Sequence, residues 1–164
     1  MTAAHEYRTH LTWTGASHGP TTSYDAYSRD YVVAVTGKPL LSGSSDTRFR
    51  GDPTRHNPED LLVAALSSCH LLSYLALAAR KGLAVVAYED DACGTMALRG
   101  GRGHFTEAVL RPRVTIAPGG DAALAMALHE QAHRDCFIAA SVNFPVRCEP
   151  TVLVAERVAV PEAI

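Results

Sequence analysis

A chain of 164 residues with 15 basic and 17 acidic side chains has the length for about one domain with a real core, and it has no charge excess with which to track a phosphate backbone. Arg99, Arg102, Arg111 and Arg113 flank turns rather than forming a patch, so nucleic acid is not an expected partner. The opening "MTAAHEYRTHLTWTG" lacks the apolar core of an export signal, which makes the cytoplasm the expected location; there, cysteines at 69, 93, 136 and 148 read as free thiols, ligands or redox groups rather than as staples.

The pattern is strand-like first. "EYRTHLTWTG" alternates, with Tyr7, Thr9, Leu11 and Trp13 on one side, and "YSRDYVVAVTGKPLL" reads as strand, turn and strand, which predicts an N-terminal antiparallel sheet. The polar loop "SGSSDTRFRGDPTRH" leads to a helix start at Asn57 as cap, Pro58 in the first helical position, and Glu59 and Asp60 in the first turn. That helix should run to about Arg80 and end at Gly82 in the left-handed conformation. Its apolar run from 61 to 79 is long enough for a bilayer, but Ser67, Ser68, Cys69, His70, Ser73 and Tyr74 interrupt it, so a helix enclosed by protein on nearly every side is expected instead. One small domain rarely encloses a helix so fully; a partner subunit would.

Further along, "LAVVAYEDDACGTMAL" and "HFTEAVLRPRVTI" read as two strands of a hairpin around "RGGRG". A second helix opens at Asp121 in "GGDAALAMALHEQAHRD", and "CFIAASV" precedes a closing strand "TVLVAERVAV". The class is α+β, with a single domain over residues 1–164 and no repeat or linker.

Cys69 sits in the middle of the apolar helix. At about 100° per residue, Leu62, Ala65, Leu66, Leu72, Ser73 and Ala76 fall within about 60° of it, on an apolar face. Two readings stand side by side. It is a small hydrophobe filling a core, or it is a thiol kept dry and activated by a charge from elsewhere, because a thiolate needs a cationic or hydrogen-bonding neighbour near neutral pH. His70 points about 100° away and does not supply that charge.

"TRFRGDPTRHNPEDLLVAALSSCH" resembles the signature of the OsmC/Ohr family of osmotically inducible and organic hydroperoxide resistance proteins: an arginine-bearing loop, Asn-Pro-Glu-Asp-Leu, and a cysteine ten residues after that glutamate. Those positions are Arg48, Glu59 and Cys69, and "AHRDCFIAASVNFPV" matches the second cysteine at Cys136. The resemblance implies an OsmC-like fold of antiparallel sheets around long buried central helices, in an intertwined homodimer. It also implies a thiol peroxidase. Cys69 would attack an organic hydroperoxide, Cys136 would resolve the product to a disulfide, Arg48 would stabilise the thiolate and orient the peroxide, and Glu59 would hold the guanidinium. An external dithiol such as a lipoyl group would be the reductant, with no bound cofactor. Arg29, Arg50 and Arg55 are further candidates for the arginine, since Arg29 in "YSRDY" lies where some members keep theirs. Cys93 and Cys148 are expected to be spectators. The alternative is a non-catalytic protein that binds an apolar small molecule at the cleft between subunits.

"HEQAH" at 129–133 fits the HExxH zinc-peptidase pattern, but Ala139 stands where a third ligand would be sought, so no metal is expected. One spacing argument concerns assembly. Glu59 and Cys69 lie roughly 15 Å apart along one helix and point about 80° apart, so they share an arginine only if a second, antiparallel copy of the helix brings its N-terminus alongside. A site built from two chains is therefore expected.

Overall fold

The computed structural model describes residues 4–100 and 102–156. Contacts group the chain into two compact units, one up to Leu62 and the other from Val63 onward.

The first unit carries the expected N-terminal sheet. Strands β1 (His10–Trp13), β2 (Tyr31–Ala34) and β3 (Leu41–Gly43) pair antiparallel in that order, with Leu11 opposite Val33 and Val33 opposite Leu41. Gly43 is required where it stands: a Cβ there would fall 2.3 Å from the Tyr31 ring. The loop after β3 contains a short 3-10 turn, Thr47–Phe49, capped by the Asp46 carboxylate, which accepts from the Arg48 backbone N–H at 2.7 Å. Helix α1 then begins as its sequence states. The Asn57 side chain accepts from the Asp60 N–H at 2.8 Å, and Asp60 returns the bond to the Asn57 N–H at 3.4 Å, so two otherwise orphaned donors are satisfied reciprocally.

α1 runs Pro58–Arg80 and closes at Gly82, whose φ of 68° allows the Leu83 N–H to reach back to the Ala78 carbonyl at 2.9 Å. Within the second unit it buries one stripe, Leu66, His70, Tyr74, Leu77 and Ala78. Leu72 remains 66% exposed and Leu75 36%. The expectation of a helix enclosed on nearly every side is thus not met by this chain alone: among the described residues one face of α1 is packed, and Leu72 and Leu75 on the opposite apolar face stay exposed.

The expected two-strand hairpin is corrected to four strands. β4 (Val85–Asp90) and β5 (Cys93–Arg99) replace the first arm, β6 (Arg102–Leu110) and β7 (Pro112–Ile116) the second. β4 and β7 pair in one sheet, β5 and β6 in another. The switch occurs where Asp90 turns its carboxylate inward to accept the Arg111 backbone N–H at 2.7 Å and the Ser67 hydroxyl at 2.5 Å. Pro112, which has no N–H to give a ladder, restarts the strand there.

Helix α2 (Ala122–Asp135) begins at Asp121, whose carboxylate accepts from the Leu124 N–H at 2.9 Å. Two last strands, β8 (Val146–Cys148) and β9 (Thr151–Val154), then join β6 and β7 respectively, each in parallel. The sheets of the second unit are therefore mixed rather than antiparallel, with orders β4-β7-β9 and β5-β6-β8. Residues 157–160 of the expected closing strand, and Gly101 of the turn, lie outside the described residues. Two apolar clusters fill the second unit. Tyr74, Leu77 and Ala78 of α1 meet Val114 and Ile116 of β7 and Ala125, Leu128 and Ala132 of α2. Leu66 meets Ala108 and Leu110 of β6, with Ile138, Val142, Phe144 and Cys148 packed around them.

Candidate thiol site

Cys69 lies on α1 at the edge of its buried stripe, about 60° around the helix from Leu66. It is half-buried, and all four cysteines are free. Cys136 is the residue that ends α2. Its backbone leaves the helical region at φ −75° and ψ 106°, held by its N–H on the His133 carbonyl, and its side chain is 1% exposed. The Cys136 sulfur accepts from the Ala139 N–H at 3.4 Å.

The fold brings these two thiols, 67 residues apart in the chain (136 − 69), near enough that Cys69 adds to burial in raising the Cys136 thiol. Burial, and then the nearby Cys69, push the Cys136 thiol up to about 11, so it stays protonated at neutral pH. Two neighbouring thiols, one buried and protonated and the other partly open, form an arrangement that can close to a disulfide when the outer sulfur is oxidised.

Arg48, Glu59 and the competing arginines belong to the first unit. Arg48 is exposed in the 3-10 turn. Glu59 is half-buried in the first turn of α1, near enough to Tyr31 that its charge adds to burial in raising the phenol. No ion pair joins Arg48 to Glu59 among the described residues. The competing arginines have other work. Arg29 lies 3.9 Å from the Tyr27 ring centroid and 4.8 Å from that of Tyr24, and donates to both their carbonyls. Arg50 pairs with Asp25 at 2.7 Å, and Arg55 with Asp52 at 3.2 Å and Asp30 at 3.7 Å.

With this geometry in place, comparison with known proteins identifies the chain. The family model for OsmC-like proteins matches residues 51–151. The chain belongs to the OsmC-like family. An OsmC-like protein of unknown function from Vibrio cholerae is 30% identical with a TM-score of 0.81, over 90% of this chain and 99% of that one. Organic hydroperoxide resistance proteins from Elizabethkingia anophelis and Legionella pneumophila share 18% identity with TM-scores of 0.64 and 0.61, over 93% and 92% of this chain and 100% of each of theirs. That is a likeness of fold. No curated protein is significantly similar.

A second constellation in this OsmC-like fold was not legible in the sequence. His70 of α1, His129 of α2 and Cys148 of β8 converge at the seam between the two apolar clusters. His70 Nε2 is 3.1 Å from His129 Nδ1 and 3.6 Å from Cys148 Sγ, and Tyr74 stacks on His129 with ring centroids 4.1 Å apart. Both histidines are held neutral: burial is the largest cause, and it takes His129 down to about 4. The Cys148 thiol is pushed up to about 12 by burial and then by the charges of Asp90 and Glu149. HEQAH was the one sequence signal for this cluster, but its second histidine, His133, stands outside the trio, and Glu130 is exposed.

Proposed function

We propose that this OsmC-like protein is a thiol peroxidase that reduces organic hydroperoxides in stress defence in the cytoplasm. The Cys69 thiol attacks the distal peroxide oxygen; the O–O bond breaks, an alcohol leaves with a proton, and Cys69 becomes a sulfenic acid. The Cys136 thiol displaces the sulfenic hydroxyl as water, forming a Cys69–Cys136 disulfide. An external dithiol, with a lipoyl group as first candidate, exchanges with the disulfide, is itself oxidised, and returns both thiols. The observation that carries this reading is the proximity of Cys69 to Cys136, close enough to perturb its thiol, in a chain of this family.

In this reading Arg48 stabilises the thiolate and orients the peroxide, and Glu59 clamps the guanidinium. Arg48 is favoured over Arg29, Arg50 and Arg55 because those three are already engaged locally. The exposed apolar face of α1 is covered by a second copy of the chain in a homodimer, and Glu59 of one subunit supports the Arg48 and Cys69 of the other. The deciding experiment is a thiol count. Reduced protein receives one equivalent of cumene hydroperoxide; loss of two free thiols per chain and a Cys69–Cys136 linkage by mass spectrometry are expected. No loss of thiols sinks the reading and leaves a protein that only binds apolar small molecules. Comparing lipoyl dithiol with glutathione and thioredoxin as the recycling agent identifies the reductant.

A further inference from the structure

We infer that His70, His129 and Cys148 form a binding site for a zinc-type divalent cation, separate from the Cys69–Cys136 pair. The three donors come from three elements distant in sequence, α1, α2 and β8, and their ligating atoms all lie within 4.8 Å of one another.

The distances suit a tetrahedral ion. With zinc about 2.0–2.1 Å from imidazole nitrogen and about 2.3 Å from thiolate sulfur, tetrahedral angles place two nitrogens roughly 3.3–3.4 Å apart and a nitrogen and a sulfur roughly 3.5–3.6 Å apart. The observed edges are 3.1 Å between the two imidazoles and 3.6 Å from His70 to Cys148. The third edge, from sulfur to His129 Nδ1, is no longer than 4.8 Å. Two imidazoles and one thiolate are a borderline donor set, which selects zinc or cobalt over magnesium or calcium.

The trio is poorly explained as ordinary core. A neutral His–His hydrogen bond uses one proton, and whichever ring donates, His70 Nδ1 and His129 Nε2 remain buried with no partner among the described residues. His70 is fully buried and His129 2% exposed, so each orphan is costly. An ion would leave those outer nitrogens as they are; what it accounts for is the convergence of the two facing nitrogens and the Cys148 sulfur on one point from three separate elements. The Tyr88 hydroxyl is also buried without a partner among the described residues, and it stands close enough to Cys148 to feel its charge. Cys148 is half-buried, which leaves the ion a way in.

Binding replaces the Cys148 thiol proton, released to solvent, by a metal–sulfur bond, with no change of oxidation state. The ion would fasten α1 to α2 one residue after Cys69 and seven before Cys136 (136 − 129), holding the two helices that carry the thiol pair.

The test uses untagged full-length protein stripped with chelator and then titrated with Zn²⁺ or Co²⁺. One ion per chain is expected by elemental analysis, with a thiolate-to-cobalt charge-transfer band in the Co²⁺ form. Cys148→Ser should abolish the band. His129→Gln should weaken binding by more than the roughly 10–100-fold that outer-shell changes cause, while the Cys69→Ser, Cys136→Ser double variant keeps full stoichiometry. If a variant fails to fold, the unmodified protein still decides: zinc should shield Cys148 from alkylation and leave Cys93 reactive. Substoichiometric metal, or a band that depends on Cys69 and Cys136 instead of Cys148, overturns the inference.

Discussion

Cys136 should be unusually hard to alkylate, and the structure sets the size of the effect. Its thiol is pushed up to about 11, so at pH 7.4 roughly one in 4,000 is ionised, against about one in 14 for a peptide cysteine. Because the thiolate is the nucleophile, alkylation of Cys136 should be slower than that of a peptide thiol by at least about 300-fold, with steric shielding adding to this. The assay is iodoacetamide labelling of reduced protein followed by peptide mass spectrometry from pH 7 to 10. The Cys136 rate should climb about tenfold per pH unit across the whole range; a plateau at or below pH 9 would refute the argument. Removing its neighbour with Cys69→Ala should lower the midpoint only in part, since burial is the larger cause. Stability should follow with a definite sign. The folded state keeps a proton that the unfolded chain gives up at about 8.5, so this contribution is present below that pH and is lost as pH rises through about 11, to a limit of about 3 kcal/mol.

Four further outcomes are expected. Cys69→Ser should abolish consumption of cumene hydroperoxide, Cys136→Ser should stop after one turnover at a dimedone-reactive sulfenic acid, and Cys93→Ser should leave turnover intact; turnover by Cys69→Ser removes Cys69 from the chemistry. Mixing Cys69→Ser with Glu59→Ala subunits and allowing exchange should restore activity if Glu59 acts across an interface, and no recovery despite proven exchange places it in its own subunit's site or outside the chemistry. Asp90→Ala strips partners from the Arg111 N–H and the Ser67 hydroxyl; at about 1.5 kcal/mol per bond to a charged group, the low end for partly exposed partners, it should cost about 3 kcal/mol in urea denaturation. Leu66→Ala, at a fully buried position, should cost about 2–5 kcal/mol in the same measurement.

What the sequence made legible were the features written in local rules. The start of α1 needs only Asn57, Pro58 and Asp60, and its end only Gly82, so both were found. The second unit's sheets were not, because a strand that leaves one sheet for another keeps its alternation; the signal lay in Asp90, whose role depends on Arg111 and Ser67 reaching it from elsewhere. The fate of α1's apolar face was half legible: the pattern shows that both faces are apolar, and the fold covers only one. Cys136 was found through a family resemblance rather than from its own surroundings. The meeting of His70 with His129 and Cys148 could not be read, since no local period relates residues brought together by three separate elements.

α1 itself shows why one motif can serve several ends. Successive helical residues point about 100° apart, so Ser67, Cys69 and His70, all within about one turn, project in three directions. Ser67 donates to Asp90 at the strand crossing, Cys69 meets Cys136 at the end of α2, and His70 faces His129 and Cys148. Leu66, just before them, anchors the turn in the apolar cluster on β6. A rotation of the helix that improved one of these contacts would spoil the others, so the position of the Cys69 sulfur is set jointly by a hydrogen bond, a packed leucine and a buried histidine. A substitution at Ser67 or His70 should therefore move Cys69 relative to Cys136 without touching either sulfur, and slow disulfide closure more than the first attack on peroxide, because closure needs two sulfurs in contact while the attack needs only one.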